Sequence, residues 1–391
     1  MTWKKMIPGI MASAIFFSCA GCQQTPKEVQ EEIDYKKQVS ARMDTTAENG
    51  VGTEDDTGTA PEIQFGTIAN IFRTAKKAMD KPYENLRFRK ELVLVKPERC
   101  GKLKFRVVKG FDQEYKTLFP KYIGDTYDEK NINLKTNVIP KGPDYLDTKT
   151  GEQASIGENG FFAYRLDVPA SAVTETILMV NGYDDQIVEL KDGEIRLSEA
   201  AKRAQDIVDE FGSIVGNGNY SLFKVNILRN EETGKELLKF SFQAECWDIG
   251  LHSMTDPLGN SKFQEYFATE VYIDSVKTDE YHIINQQLYE LSVMEEEFDK
   301  IVSLETALKL LTDKLADYHV YDVEGITLEY QLYSENNQTE DIGEITKAGE
   351  EYIAIPYWVI YLDVTEDQEV YASVDCETGE LKIINRSSFE G

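Results

Sequence analysis

The spacing of apolar residues changes along the chain, and each change predicts an element. Ile68, Ile71, Phe72, Ala75 and Met79 recur at the spacing of a helix with one apolar face, and Pro82 ends that run. The period then falls to two. Phe88 to Val95 and Leu103 to Val108 alternate as strands do, with Pro97 to Gly101 as the turn between them. Residues 111–160 are rich in Gly, Pro, Asp, Tyr and Asn, and Asp147 to Glu152 reads as a turn. Gly160 to Leu166 and Thr176 to Val180 resume the strand pattern, and Asp192-Gly193 is a two-residue hairpin signal. A β-rich domain is therefore expected over residues 62–195.

Beyond residue 195 one order of elements occurs twice. Ser198 is placed to cap a helix with Ala200, Ala201, Ala204, Ile207, Val208 and Phe211 on one face and Gly212 at its end. Strand patterns follow at Ser221 to Leu228, Leu237 to Trp247 and Tyr266 to Asp274. Ser303 is placed to cap a second helix carrying Leu304, Ala307, Leu308, Leu311 and Leu315, before strands at Ile326 to Tyr333, Tyr352 to Val364, Glu369 to Val374 and Leu381 to Ile384. One amphipathic helix laid on an antiparallel sheet buries both apolar faces. The expected class is α+β: a β-rich N-terminal domain, then two helix-on-antiparallel-meander units at 196–295 and 296–391.

The start of the chain follows a different plan. Lys4-Lys5 precede a short apolar run from Ile7 to Phe17 and then Ser18-Cys19-Ala20-Gly21-Cys22, the layout of an export signal over residues 1–22. The run is shorter than the roughly 20 residues a membrane-spanning helix needs. Ala20-Gly21-Cys22 resembles a bacterial lipobox, although Cys19 stands where that family prefers Leu. The resemblance implies that Cys22 receives a diacylglyceryl group and becomes the mature N-terminus. Two acyl chains, at about 0.8 kcal/mol per buried methylene, hold a protein on a membrane where one chain holds it marginally. Residues 23–61 are polar and acidic, with too little apolar surface to offset the entropy of ordering, and are expected to form a disordered tether with an r.m.s. reach of roughly 35 Å.

Composition narrows the function classes. With 42 Lys and Arg against 70 Asp and Glu, the net charge is -28. Nucleic acids and anionic polymers are bound through basic faces, so they are not expected partners. Beyond the signal segment, Cys100, Cys246 and Cys376 are too few and too widely spaced for a disulfide framework, although one pair could bridge. His252, His282 and His319 have no metal-site spacing, and Asp184-Asp185 and Glu54-Asp55-Asp56 lack the alternation of a calcium loop. No G-x-S-x-G elbow or glycine-rich phosphate loop occurs, and acidic neighbours oppose thiolate formation at Cys376. No catalytic, cofactor-binding or metal residue is assigned, and no cofactor is expected; Cys22 is the one assigned site. Tyr352, Tyr357, Trp358, Tyr361 and Tyr371 gather in the last meander, where alternation sets Tyr357, Val359 and Tyr361 on one face and Trp358, Ile360 and Leu362 on the other. One face is expected to be core and the other to pack or to bind.

The C-terminal unit, from Ser303 to about Asn385, is similar to a PepSY-type extracytoplasmic module in its helix and in the ending Tyr371, Val374, Asp375, Thr378, Gly379, Glu380 and Leu381. As a whole, the chain resembles uncharacterised lipoproteins of clostridial-type Gram-positive bacteria, which implies a location and no activity. The expected protein is extracytoplasmic, lipid-anchored and non-catalytic, binding a peptide or protein partner. The competing expectation is a surface hydrolase with paired carboxylates in an interdomain cleft.

Overall fold

The computed structural model describes residues 62–88, 91–107, 127–130, 144–147, 153–156, 161–165, 168–179, 183–215, 219–254, 266–287, 289–315, 319–334, 351–362 and 368–387. The signal segment, Cys22, the tether with Glu54-Asp55-Asp56, and the loop side of the Asp147 to Glu152 turn lie outside these residues. The described chain is a β-rich α+β fold. Strands β1 (Phe65–Gly66), β2 (Leu86–Arg87) and β3 (Gly101–Val107) flank and follow helix α1 (Ile68–Met79). Next come β4 (Tyr127–Lys130), β5 (Asp144–Asp147), β6 (Gln153–Ile156), β7 (Phe161–Tyr164), β8 (Ser171–Leu178), β9 (Ile187–Leu190) and β10 (Gly193–Arg196). Helix α2 (Leu197–Val215) precedes β11 (Asn219–Asn230), β12 (Glu236–Cys246), β13 (Ile249–Leu251), β14 (Ser253–Met254), β15 (Tyr266–Phe267), β16 (Thr269–Ile273), β17 (His282–Gln287), β18 (Tyr289–Glu297) and β19 (Ile301–Val302). Helix α3 (Leu304–Thr312) precedes β20 (Tyr321–Ser334), β21 (Glu351–Leu362), β22 (Gln368–Asp375) and β23 (Leu381–Ser387).

The helices begin where side chains meet the unpaired amides of a first turn. Thr67 caps α1 by accepting from the Asn70 amide at 3.3 Å, and Ser303 caps α3 by accepting from the Thr306 amide at 3.2 Å. The second helix departs from expectation. Ser198 lies inside α2, and its amide donates to Asp185 Oδ1 at 2.9 Å, so a carboxylate from the segment before β9 does the capping. Gly212 does not end α2, which runs on to Val215. A glycine stops a helix only where a left-handed residue closes the last turn.

Each of α2 and α3 is followed by an antiparallel series. Strand β8 pairs with β11, β11 with β12, β12 with β16, and β16 with β17. After α3, β20 pairs with β21, β21 with β22, and β22 with β23. The helix-facing sides are apolar: Leu238, Phe240 and Phe242 on β12 belong to one buried cluster with Ala200, Ala204 and Val208 of α2, and with Leu308, Leu311, Trp358 and Ile360. The Phe211 side chain is outside the described set. Helix α1 lies beside α3, joined by the Lys81–Glu305 ion pair at 2.5 Å, and its Phe72 ring meets Trp358 with centroids 5.9 Å apart. Trp358 Nε1 donates to the Val302 carbonyl at 2.8 Å, which fixes the strand leading into α3.

Main-chain pairing crosses the expected boundaries at 195 and 295. Strand β3 pairs with both β18 and β21, β8 pairs with β11, and β13 pairs with β20. Phe88 to Val95 is not a strand among its described residues: Leu92 is buried and Val93 and Val95 are exposed, as the alternation implies, but no neighbouring backbone pairs with them. The segments at β17 and β18 carry strands that the sequence pattern had not marked. Among the described residues no helix is long and apolar enough to cross a membrane.

Burial of the α3 stripe sets a direct expectation. Leu311 is fully buried, whereas Lys309 is half exposed. Leu311→Ala is expected to cost about 2 to 5 kcal/mol in urea denaturation. Lys309→Ala, which removes an exposed ion pair to Glu305, should cost less than about 0.5 kcal/mol. Equal losses would mean that the stripe does not carry the packing.

Candidate functional site

The two series meet at a short hairpin. Strands β12 and β13 are joined by Trp247-Asp248, both at positive φ (52° and 64°). Two left-handed residues in succession make the turn whose twist suits a hairpin, a place usually held by Asn-Gly. Asp tolerates this backbone; Trp pays for it, and such strain persists only where surroundings hold it. Here the Arg99 guanidinium lies 4.9 Å from the Trp247 ring centre, and the Glu98 amide donates to the Trp247 carbonyl at 3.2 Å. The turn delivers β13 alongside β20 in parallel, pairing Gly250 with Glu329 and Leu251 with Tyr330, and the His252 amide donates to the Tyr330 carbonyl at 2.8 Å.

Register then writes one row of side chains across the sheet on the face away from the helices. Glu245, Gly250, Glu329, Tyr357 and Asp375 are successive cross-strand partners. Neighbouring strands lie about 4.8 Å apart, so Glu245 and Glu329 stand roughly 10 Å apart at the backbone with only a glycine between them. The glycine leaves room for the Gln243 side chain, whose Nε2 lies 1.7 Å from where a Cβ on Gly250 would be. Above it opens a cavity of about 200 Å³. Leu94, Leu178, Leu222 and Phe223 form its apolar side, and Gln243, Glu245, Asp248 and Glu329 its polar side.

Glu329 is buried and fully engaged. Its Oε1 accepts from Thr327 Oγ1 at 2.6 Å and from the Tyr361 hydroxyl at 2.7 Å, and its Oε2 pairs with His252 Nδ1. The His252 ring in turn rests on Tyr371, with centroids 4.9 Å apart. Burial pushes the Glu329 carboxyl up, but the His252 ring and the three hydrogen bonds outweigh it and hold the group below the usual glutamate range. A carboxylate whose oxygens already take three donors is a structural anion, poorly placed to move protons.

The same face is polar along both series and still buried. Ser241, Gln331 and Ser373 are nearly inaccessible, and among the described residues the Ser241 hydroxyl, both ends of the Gln331 amide, the Ser373 hydroxyl and His252 Nε2 have no hydrogen-bond partner. A second polar group, Lys239 Nζ to Glu270 Oε1 at 2.5 Å with the Tyr272 hydroxyl donating to Glu270 Oε2 at 2.9 Å, lies on β12 and β16. Tyr357, Val359 and Tyr361 do not form an open surface. They are buried in a cluster with Leu178 and Tyr371, so both faces of β21 are covered.

The other candidates lie apart. His282 Nδ1 meets the Arg165 carbonyl at 2.6 Å, and the His319 ring stands edge-on to Tyr321. Asp185 caps α2, and Asp375 Oδ1 holds the Glu377 and Thr378 amides of the last hairpin turn. The three thiols are free: burial pushes Cys100 up to about 12 and Cys246 up to about 11, and raises buried Cys376 well above the usual thiol range. Cys376 is therefore inert chiefly through burial, with the charge of Asp375 a smaller cause. Gln243, Thr327 and Glu329 were missed in the sequence, although they occupy the polar positions of Lys239-Phe240-Ser241-Phe242-Gln243-Ala244-Glu245 and Ile326-Thr327-Leu328-Glu329-Tyr330-Gln331. That alternation was a visible signal. No family model, curated protein or solved structure matches the chain.

Glu329→Gln is expected to cost about 3 kcal/mol at pH 7, the scale for removing one partner of a buried pair. Because the folded-state pKa is depressed, the contribution is full above about pH 4.3, the ordinary glutamate value, and is lost as pH falls through the folded value. Urea titrations at pH 7 and below pH 4 should therefore show the gap between wild type and variant closing on acidification. A gap that does not change with pH would show that the ionised pair is not the source.

Proposed function

We propose that the protein is an extracytoplasmic lipoprotein, anchored to a bacterial membrane through Cys22, that binds a peptide or a segment of a partner protein without catalysing a reaction. In this reading residues 23–61 are a tether, residues 62–195 a β-rich region, and the rest two copies of a helix-on-meander unit, the second akin to PepSY. The observation that carries it is the cavity where β12, β13 and β20 meet, with an apolar wall on one side and polar groups on the other. Such mixed lining suits recognition of a side chain.

The hydrolase reading draws on one feature, the facing of Glu245 and Glu329 across Gly250. Against it, a general acid needs a raised pKa, and that of Glu329 is depressed. Neither oxygen of Glu329 is without a donor.

A displayed heptapeptide library panned on the full chain tests the proposal. Peptides enriched on wild type should bind at least tenfold more weakly to Ser221→Trp, which fills the cavity, with an unchanged melting temperature. Val95→Lys, at a cavity position 61% exposed, serves if the tryptophan variant does not fold. Enriched peptides that ignore both variants, or that emerge cleaved, would overturn the reading. In the same cells Cys22→Ala should leave the membrane fraction, and its retention would contradict the anchor.

A further inference from the structure

The chemistry of the cavity narrows what it holds. We infer that it takes one basic side chain of the bound peptide, a primary ammonium or a guanidinium on an apolar stem, with the head at Gln243 and Asp248 and the stem along Leu94, Leu222 and Phe223. This rests on the peptide-binding reading and specifies its ligand.

Size comes first. At about 200 Å³ the space falls below the several hundred Å³ of pockets that enclose a drug-sized molecule, and suits a single extended side chain. Charge comes second. Among the described residues the lining carries Glu245, Asp248 and Glu329 and neither a lysine nor an arginine, although Lys224 Nζ lies 5.7 Å from the centre of the lining Phe223 ring; on a chain of net charge -28 the cavity favours a cation over an anion.

A third observation is independent of the acids. Gln243 lines the cavity, is only 8% exposed, and its side-chain amide has no hydrogen bond among the described residues. An amide oxygen at the cavity wall that no neighbouring donor occupies is open to an entering ammonium or guanidinium, which would donate to it. Gly250 makes room for it, since the amide lies where a side chain on Gly250 would go.

Roles divide among the acids. Glu329 already accepts from Thr327, Tyr361 and His252, so it sets the local potential and is not the direct partner. Asp248, exposed on the turn between β12 and β13, is at the rim. A cation entering past it exchanges water for a carboxylate and then for the Gln243 oxygen, while its methylenes leave water against the leucines and Phe223.

Nα-acetyl-lysine amide, Nα-acetyl-arginine amide and Nα-acetyl-norleucine amide, titrated into the full chain with NMR detection of the Gly250 amide, test the inference. Norleucine keeps the lysine stem and drops the charge. The two basic probes should saturate the Gly250 shift at least tenfold more tightly than norleucine, and 0.5 M salt should narrow the difference. Asp248→Asn, which keeps a residue tolerant of positive φ, should weaken the basic probes threefold or more and leave norleucine unchanged. Gln243→Met provides the same comparison should that variant unfold.

Equal binding of norleucine and lysine, or an unchanged ratio in both variants, would overturn the basic-side-chain assignment. Peptide capture that still depended on the cavity would then leave the binding reading standing. Loss of both the probes and the cavity-dependent peptides would overturn the two together.

Discussion

Two residues of parallel pairing join the series after α2 directly to the series after α3, beside the longer route through β3. Gly250 and Leu251 lie against Glu329 and Tyr330, and the His252 amide extends the contact to the Tyr330 carbonyl. Without that bridge the series after α2 and the series after α3 would meet only through side chains and through β3 and its partners. So short a contact cannot rest on its own hydrogen bonds, each worth about 1 kcal/mol net. It is supported from both sides: by the strained Trp247-Asp248 turn under Arg99, and by Glu329, which ties β20 to His252 just beyond β13.

The bridge also explains why a polar sheet face is tolerated in the interior. On the helix side, Phe240, Phe242, Leu328 and Trp358 bury apolar area in the ordinary way. On the other side Ser241, Gln243, Glu270, Glu329, Gln331, Ser373 and Asp375 are buried, and several of their polar atoms lack partners. A buried polar group left without water or another partner costs on the order of 1 to 3 kcal/mol, so this face is the one that a polar ligand or bound water would satisfy. Where the face is interrupted by Gly250, it opens into the cavity. Pairing, glycine and cavity are therefore consequences of one geometry, and a ligand bound there would touch both series at once.

Much of the architecture could be read in advance because it depends on local patterns. The Ser303 cap, the α1 stripe and the opposed faces of Tyr357 and Trp358 follow from neighbours a few residues apart, and so does the hairpin signalled by Asp192-Gly193, although its turn falls one residue earlier, on Lys191-Asp192. The failures share the opposite property. Asp185 replaces Ser198 as a cap from a different loop, and Phe88 to Val95 alternates without finding a strand to pair with. The covering of the Tyr357 face by Leu178 depends on the course of β8, which no periodicity in β21 encodes. The site was illegible for the same reason. Trp247-Asp248 carries no turn signature, and nothing near Gly250 announces a parallel partner in β20. Only the polar half of the alternation in β12 and β20 hinted that their second faces would matter.

Amide hydrogen exchange at His252 tests the central claim, that the bridge fuses the two series into one cooperative body with a preformed cavity. The amide donates to Tyr330 just past the last residue of β13, where a loosely joined sheet would fray first. A fused sheet predicts that His252 exchanges only by global unfolding, as slowly as Trp358 in the centre of β21 and with the same denaturant dependence. Exchange of His252 by local opening, orders of magnitude faster than Trp358 and insensitive to denaturant, would show that the two series part in the native state and that the cavity does not exist before its ligand arrives.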